Sequence, residues 1–360
     1  MSKTIEQILG YVALTGVIKA VTTGIPDVLP KAFQTIKKQV PGIAGRYTQI
    51  TGTRQTATIS MYGSPARKRA LRDIASKDVK LLHSFENITM APLLLQTLRN
   101  YDNYDMQNLG IQEVDRQQSE FRAYFDNLRL SCQYSMLSLG HVYYDGDGNL
   151  LPTSSGAVVD VDFQIPANNQ NQLNGIITAS WALANTDIPA QLRALRLRAA
   201  QLTGYPLKYA FYGLNVPSYM TQNNYVIDYL ARNPNFAQKF LEQAEIPDGL
   251  FGFTWVPVYT AFYEDASNTN QTFFSSDAVI FTPEIDSTVY ELMEGSFMVP
   301  TSFNASANMA SALGSLKQVY GMGSFAVPTM NPPTCEMYFF DQQLPVWKVP
   351  NSMFQADCTP

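Results

Sequence analysis

The sequence predicts an α+β fold with long N-terminal appendages. Residues 111–139 are helix formers without Pro or Gly, whereas other segments are rich in β-branched and aromatic residues, as strands are. At 360 residues and 40.1 kDa the chain exceeds what one simple core usually serves. We therefore expect two domains, with extended segments outside them.

The N-terminal segment is predicted to be an arm. Residues 8–20 (ILGYVALTGVIKA) are moderately apolar and indicate an amphipathic helix. The stretch is too short to span a bilayer, and a signal peptide is the less favoured alternative because a strong basic start and a clear cleavage site are lacking. Pro26, Pro30 and Pro41 predict an irregular or extended path over residues 24–47, with a short helix near residues 31–39.

A long hairpin is predicted next. Residues 47–62 and 79–90 are strand-like, and residues 63–73 (GSPARKRALRD) between them are the most basic segment of the chain. Its cationic candidates for contacts between molecules are Arg67, Lys68, Arg69 and Arg72. An isolated two-stranded ribbon is marginal in water, so we expect the hairpin to pack on another subunit. Phosphate binding and a solvated loop stay open as alternatives.

A long helix is predicted over residues 111–139. Its apolar positions recur on one helical face, and Gly140 ends it. At about 1.5 Å per residue the helix extends roughly 43 Å. Beyond it we expect strands near residues 158–163, 254–263, 277–282 and 335–340 and helices near residues 189–202, 225–232 and 236–244.

Charge is divided unevenly along the chain. Residues 1–72 contain eleven basic residues and two acidic ones, a balance of +9, while the remaining residues contain fourteen basic and twenty-eight acidic ones, a balance of −14. Net charges of opposite sign on two parts of one polypeptide favour binding between copies, because the basic arm of one molecule can lie on the acidic body of the next. Only 15% of residues are charged and 46% are hydrophobic, so apolar surface between subunits is expected.

Catalytic motifs are few. His83 and His141 have no motif nucleophile or metal ligand near them in sequence, and Cys132, Cys335 and Cys358 are too far apart for a typical zinc spacing. We interpret the thiols as reduced and structural. Residues 145–149 (DGDGN) begin like a calcium loop but lack its later Gly and Glu, so a tight hairpin turn is expected. We expect no enzymatic activity, no cofactor and no metal.

The order of these parts resembles the lambda-type major capsid proteins of tailed phages (phage capsid protein E family), which share the Hong Kong 97-type capsid fold. The resemblance covers nearly the whole chain. Its more specific elements are Val161-Asp162-Phe163, Trp181, residues 259–265 (YTAFYED), residues 278–281 (AVIF) with Pro283, Glu294-Gly295, Asn331-Pro332-Pro333 and residues 344–347 (LPVW) with Pro350.

The resemblance implies a domain layout. It places an N-terminal arm at residues 1–46, an extended β-hairpin loop at 47–91, a peripheral domain at 92–155 and 331–360 with its spine helix at 111–139, and an axial domain at 156–330. It implies self-assembly into hexamers and pentamers of an icosahedral phage head, as virion protein assembled in the host cytoplasm. Acidic partners for the basic loop are expected on the spine helix at Glu113, Asp115, Glu120 and Asp126.

Further partners follow from the same resemblance. They are a portal protein, a separate scaffolding protein, since 46 residues before the hairpin leave no room for a scaffold domain, and double-stranded DNA held non-specifically. A decoration protein stays open, and no membrane is involved. Three alternatives remain: an encapsulin-like nanocompartment shell, a cytosolic hydrolase using Asp and Glu, and a basic-armed nucleic-acid-binding module.

Overall fold

The computed structural model describes residues 5–20, 29–50, 74–98, 104–146, 148–170, 177–243, 245–258, 262–264, 270–300, 316–330 and 333–359. The helices in chain order are α1 (Ile5–Leu9), α2 (Tyr11–Ala20), α3 (Ala32–Thr35), α4 (Pro92–Leu98), α5 (Tyr104–Leu139), α6 (Ile188–Leu202), α7 (Val216–Gln222), α8 (Asn224–Arg232) and α9 (Pro234–Gln243). Short 3-10 turns cover Ala167–Asn169, Leu250–Gly252 and Pro350–Ser352.

The strands in chain order are β1 (Lys37–Val40), β2 (Ala44–Ile50), β3 (Ile74–Lys80), β4 (Leu82–Met90), β5 (His141–Tyr144), β6 (Leu150–Leu151), β7 (Val159–Asp162), β8 (Leu207–Tyr212), β9 (Thr254–Pro257), β10 (Phe262–Glu264), β11 (Asn270–Thr272), β12 (Ala278–Pro283), β13 (Tyr290–Pro300), β14 (Leu316–Tyr320), β15 (Gly323–Met330), β16 (Pro333–Trp347) and β17 (Phe354–Asp357). The α+β class predicted from the sequence is confirmed.

The largest sheet has six strands and is organised by β16. β4 pairs antiparallel with residues 335–343 of β16. On the opposite edge, β13 pairs with residues 343–347 and β15 with residues 333–340, both antiparallel. β14 and β1 each pair with β13, and β1 is parallel to it. One strand of 15 residues therefore unites segments from distant parts of the chain.

The long helix α5 crosses one face of this sheet. It has 36 residues, a length of roughly 54 Å, and begins at Tyr104 rather than at the predicted residue 111. The ring of Phe121 stacks on that of Phe339 in β16, with centroids 3.9 Å apart. The helix ends at Gly140, whose φ of +70° suits a glycine cap and whose amide donates to the carbonyl of Met136.

A second unit is built on a four-stranded sheet in the order β17-β12-β8-β9. Its core joins helices α6 to α9 to that sheet through Trp181, Leu195, Phe253, Trp255 and Phe281, all of which are buried. The helices predicted at 189–202, 225–232 and 236–244 are confirmed within two residues at each end. Because β17 pairs with β12, the last described strand of the chain belongs to this second unit.

The arm helix α2 packs on its own chain. Leu14 and Ile18 are buried in a cluster that also contains residues of α5 and β15. The Thr15 hydroxyl donates to the carbonyl of Ser324 at 2.9 Å, and Arg122 of α5 donates to the carbonyl of Ile18 at 3.1 Å. Leu14 and Ile18 of the arm are therefore buried within the same chain, and a contact of the arm with a neighbouring copy stays a prediction.

The hairpin differs from its prediction in one strand. β2 pairs antiparallel with β3 over residues 44–50 and 74–80. Residues 82–90, expected as the returning strand, instead pair with β16 in the largest sheet. The predicted helix near residues 31–39 is also shorter, because α3 ends at Thr35 and β1 begins at Lys37.

Arg129 of α5 forms the central ion pair between the helix and the sheet. Its side chain is 11% exposed and that of Asp341 in β16 is 1% exposed. Two hydrogen bonds of 2.7 and 2.5 Å run from the Arg129 guanidinium to the Asp341 carboxylate. Burial alone lowers the pKa of Arg129, but the carboxylates of Asp341 and Glu294 raise it above its ordinary value. Arg129 therefore stays charged, and the bidentate geometry fixes the helix on β16.

Glutamates of β13 extend this ion pair to neighbouring strands. The Oε1 atom of Glu294 lies 3.5 Å from a guanidinium nitrogen of Arg129 and 2.8 Å from the Nζ atom of Lys37 in β1. Glu291, earlier on the same strand, binds Lys38 at 3.1 Å and Lys348 at 2.7 Å. The parallel strand β1 is thus attached to β13 by side chains as well as by its backbone ladder.

Replacing Asp341 by Ala is expected to lower the free energy of unfolding by about 3–5 kcal/mol, because it leaves the Arg129 charge buried with weaker compensation. The double variant Arg129→Met/Asp341→Leu removes both charges and should recover most of that loss. Urea unfolding of the three proteins measures both effects. Asp78→Ala, which breaks the exposed pair of Arg46 and Asp78, is the matched control and should change stability little. Equal losses in the single and double variants would contradict the prediction.

Candidate interaction surface

The face of the largest sheet opposite α5 is covered by aromatic side chains. We define this aromatic face by His83, Phe85, Phe297, Phe325, Tyr338 and Phe340. The Phe297 and Phe340 rings are 4.5 Å apart between centroids, Phe325 and Tyr338 are 5.1 Å apart, and Phe85 and Tyr338 are 5.4 Å apart. The rings come from four strands and form one continuous stacked surface.

Strand alternation gives the sheet its two apolar faces. Met337 and Phe339 point toward α5 and are fully buried. The alternate residues of the same strand, Tyr338 and Phe340, belong to the aromatic face. Gly323 of β15 pairs with Phe340. A Cβ atom at Gly323 would lie 2.4 Å from the Phe340 ring, so the ring needs a glycine at this position to lie flat on the sheet.

The aromatic face is only partly closed to solvent. Phe85 is 45% exposed, whereas Phe340, its register partner on the neighbouring strand β16, is fully buried. Burial between Phe85 and Phe297 lowers the pKa of His83, so its ring is neutral at pH 7. The Tyr338 hydroxyl donates to the Glu336 carboxylate, and this hydrogen bond raises the pKa of Tyr338. At neutral pH the surface is thus apolar and stacked, with a carboxylate at one edge.

The base of the hairpin is anchored to neighbouring elements. Tyr47 of β2 is 1% exposed and joins the main core. Gln49 donates to the carbonyl of Phe163 at 3.3 Å, and Lys77 of β3 donates to the carbonyl of Asp162. The Ile50 amide donates to the carbonyl of Lys348 at 2.9 Å. Residues on both sides of the hairpin tip are therefore held in fixed positions.

The predicted cationic contacts, Arg67, Lys68, Arg69 and Arg72, lie outside the described residues. The predicted acidic contacts lie on α5, and three of them have arginine partners on the same helix. Arg116 binds Glu113 at 2.7 Å and Glu120 at 3.1 Å, and Arg122 binds Asp126 at 2.8 Å. Asp115 is exposed. Their role between subunits stays a prediction.

The chemically reactive residues occupy structural positions. His141 lies 2.8 Å from a carboxylate oxygen of Asp160 and stacks on Tyr143. The three cysteines are buried without disulfide partners, and burial raises the pKa of Cys132 to about 12. The turn expected at residues 145–149 is confirmed, since β5 pairs with β6 across it.

The described part of the chain shows no arrangement that would hold a metal ion, since it contains no suitable group of three or more His, Cys, Asp or Glu side chains. Among the helices of the same part, none is long and apolar enough to cross a membrane.

Sequence reasoning missed the aromatic face. The alternation of ring-bearing residues at positions 83 and 85 and at 338 and 340 was present as a signal. Its meaning depends on which strands are neighbours, and β4, β16, β15 and β13 are brought together only by pairing between distant segments.

Several solved structures are similar to this chain. No protein-family model and no curated protein sequence matches it. A phage-related protein of Bordetella bronchiseptica RB50 is 9% identical, with 97% of each chain covered and a TM-score of 0.49. The mature capsid of bacteriophage PhiM1 is 12% identical, covering 94% of this chain and 89% of that one, with a TM-score of 0.46. The encapsulin of Synechococcus elongatus PCC 7942 is 9% identical, covering 94% and 92%, with a TM-score of 0.40.

Gly323→Ala is expected to lower the free energy of unfolding by about 1–3 kcal/mol, because the added methyl group overlaps the Phe340 ring. Gly16→Ala is the matched control. Gly16 lies inside α2, and a methyl group there would meet no atom within 4 Å apart from its chain neighbours and the backbone of its own helix, so its replacement should raise stability by about 0.5–1 kcal/mol. Thermal or urea unfolding measures both changes, and a stable Gly323→Ala variant would show that the ring is free to move.

Proposed function

We propose that this chain is the major capsid protein of a tailed double-stranded DNA phage, with the Hong Kong 97-type fold. Copies assemble into hexamers and pentamers, which form the icosahedral shell of the phage head. The observation that carries the proposal is the aromatic face, an apolar sheet surface that the described elements of the same chain leave partly exposed. Such surfaces on soluble proteins mark contacts with another protein.

The arrangement of elements supports the same proposal. One side of the largest sheet is closed by α5 and α2. On the other side Phe325 and Phe340 are buried, and Phe85 is left 45% exposed by the described residues. The hairpin β2–β3 starts from an anchored base, and its tip contains the most basic segment of the chain. A basic tip reaching the acidic body of an adjacent copy fixes the register of the contact. Ring-forming heterologous contacts of this kind build closed shells.

The domain layout remains a proposal: arm 1–46, extended loop 47–91, peripheral domain 92–155 and 331–360, and axial domain 156–330. Strand pairing favours two adjustments to it. β13, β14 and β15 form one sheet with β16 under the spine helix α5, which favours counting residues 290–330 as peripheral. β17 pairs with β12, which favours counting the last strand as axial.

The partners of the shell belong to the same proposal. A portal protein, a separate scaffolding protein and packaged double-stranded DNA are expected, the DNA without sequence specificity, and assembly takes place in the host cytoplasm. The protein functions through its shape and its contacts with neighbouring copies, and it has no catalytic role. The alternative is an encapsulin-like compartment shell. Particles purified from the native source and containing DNA favour the phage head, whereas an enclosed enzyme favours the compartment.

Phe85→Ser tests the aromatic face. The wild-type protein is expected to form rings or closed shells at micromolar concentration, and the variant should need a higher concentration, because it removes exposed aromatic area from the contact. Light scattering and negative-stain microscopy measure the assembly. Tyr225→Ser is the matched control, since Tyr225 is 47% exposed on α8 and Phe85 is 45% exposed. Equal assembly by Phe85→Ser and wild type would remove the aromatic face from the interface.

Reversing the basic tip tests the electrostatic contact. Arg67→Glu/Lys68→Glu/Arg69→Glu should weaken assembly, and the salt dependence of the remaining assembly should differ from that of the wild type. The control reverses three exposed cations elsewhere, Lys31, Arg232 and Lys239, to match the change in net charge. If both triple variants assemble equally well, the tip does not form the contact. A wild-type protein that stays monomeric with co-expressed scaffolding protein would overturn the proposed function.

A further inference from the structure

A small pocket in the second unit contains a cation that has no counter-ion among the described residues. The pocket lies between α6, α8 and the turn at Leu250–Gly252, and its volume is about 170 Å³. Its lining residues are Pro189, Leu192, Arg193, Arg196, Tyr229 and Phe251. The walls are mainly apolar and aromatic, and the two arginines are the charged groups that line it. The pocket is separate from the aromatic face and from the hairpin.

Arg196 is the unusual group in this pocket. Its guanidinium lies over the ring of Phe253, 4.1 Å from the centroid. Burial lowers the pKa of Arg196. Within the described part of the chain, its buried Nε atom has no hydrogen-bond partner and its guanidinium forms no ion pair with a carboxylate. A buried donor left unsatisfied and a half-buried charge left unpaired both cost free energy, so the described residues alone leave this site incomplete.

The adjoining turn holds the guanidinium in place. Phe251 has a φ of +51°, in the left-handed region that non-glycine residues rarely adopt, and Gly249 and Gly252 have φ values of +86° and +73°. A Cβ atom on Gly252 would lie 2.7 Å from an Arg196 nitrogen, so the backbone approaches the guanidinium as closely as a glycine allows. Strained residues of this kind persist where the surrounding structure holds them, commonly at binding sites.

We propose that this pocket receives an Asp or Glu side chain from a second copy of the chain. A carboxylate matches the forked donors of a guanidinium, and the apolar walls suit the methylene groups that carry it. Residues 73–360 hold twenty-eight acidic side chains, and among the described ones Asp228 and Asp248 are exposed, so a neighbouring copy offers this group at its surface. The inference rests on the proposed function, in which copies lie side by side. A nucleic-acid backbone fits less well, because it requires a track of cations along a groove.

Arg196→Met separates this contact from a structural role of Arg196. The variant monomer should be as stable as the wild type or more stable, because it removes an unpaired half-buried charge. Its assembly should be weaker, with the concentration needed for half-assembly rising by about tenfold or more. Urea unfolding under monomeric conditions and light scattering across a concentration series measure the two quantities. Arg232→Met, which removes an exposed arginine of α8, is the matched control and should match the wild type in both.

The outcomes are distinct. A less stable Arg196→Met monomer that assembles like the wild type would show that Arg196 only supports Phe253, and would overturn the inference while leaving the proposed function intact. If the Met variant does not fold, Arg196→Gln keeps a polar head without the charge and should show the same loss of assembly. Inorganic phosphate that stabilises the wild type but not the variant, with unchanged assembly, would also overturn the inference. A wild type that never assembles overturns the proposed function itself.

Discussion

The buried ion pair of Arg129 and Asp341 joins the long helix to the central strand of the largest sheet, and the other elements are positioned through that contact. It fixes a 36-residue helix on the strand that pairs with three others. A buried charge pair adds little net stability by itself, but losing one partner is costly, so it specifies a single placement of the helix. Through Glu294 and Lys37 the same constraint reaches β1, which lies within the predicted arm of residues 1–46. The strand β1, the helix α5 and the largest sheet are thereby held in fixed positions relative to one another.

The position of α5 on β16 determines which side chains of the sheet are buried under the helix and which lie on the opposite face. With α5 fixed on one face, the side chains at 337 and 339 become core and those at 338 and 340 form the opposite, aromatic face. Shifting β16 by one residue would exchange the two sets. The aromatic face is therefore a consequence of how the helix is anchored. A protein that must bind neighbours through a sheet face needs such a fixed register, since stacking depends on the positions of individual rings.

Parts of this arrangement were predictable from local pattern. The long helix α5 has a regular apolar spacing and a terminal glycine, both of which act within the segment itself. Three helices of the second unit, α6, α8 and α9, were placed within two residues for the same reason, whereas the short helix α7 was not predicted. The partner of residues 82–90 was not predictable, because β4 is equally suited to a hairpin with β2 and its actual partner, β16, lies far along the chain. The packing of α2 on α5 of the same chain was also not predicted. The sequence of an amphipathic helix shows which face is apolar, but it does not show which element covers that face.

Local sequence was sufficient for the α+β class, the long helix and the division of charge between residues 1–72 and the rest of the chain, because each of these is a property of neighbouring residues. The anchoring of Arg129, the aromatic face and the lack of a counter-ion for Arg196 among the described residues emerged only from the folded chain. Arg129 and Arg196 are the same residue type and both lie on helices, yet one meets Asp341 and the other meets the ring of Phe253. Whether a charge is compensated depends on which distant side chain the fold brings beside it, and that information is not contained in any local segment.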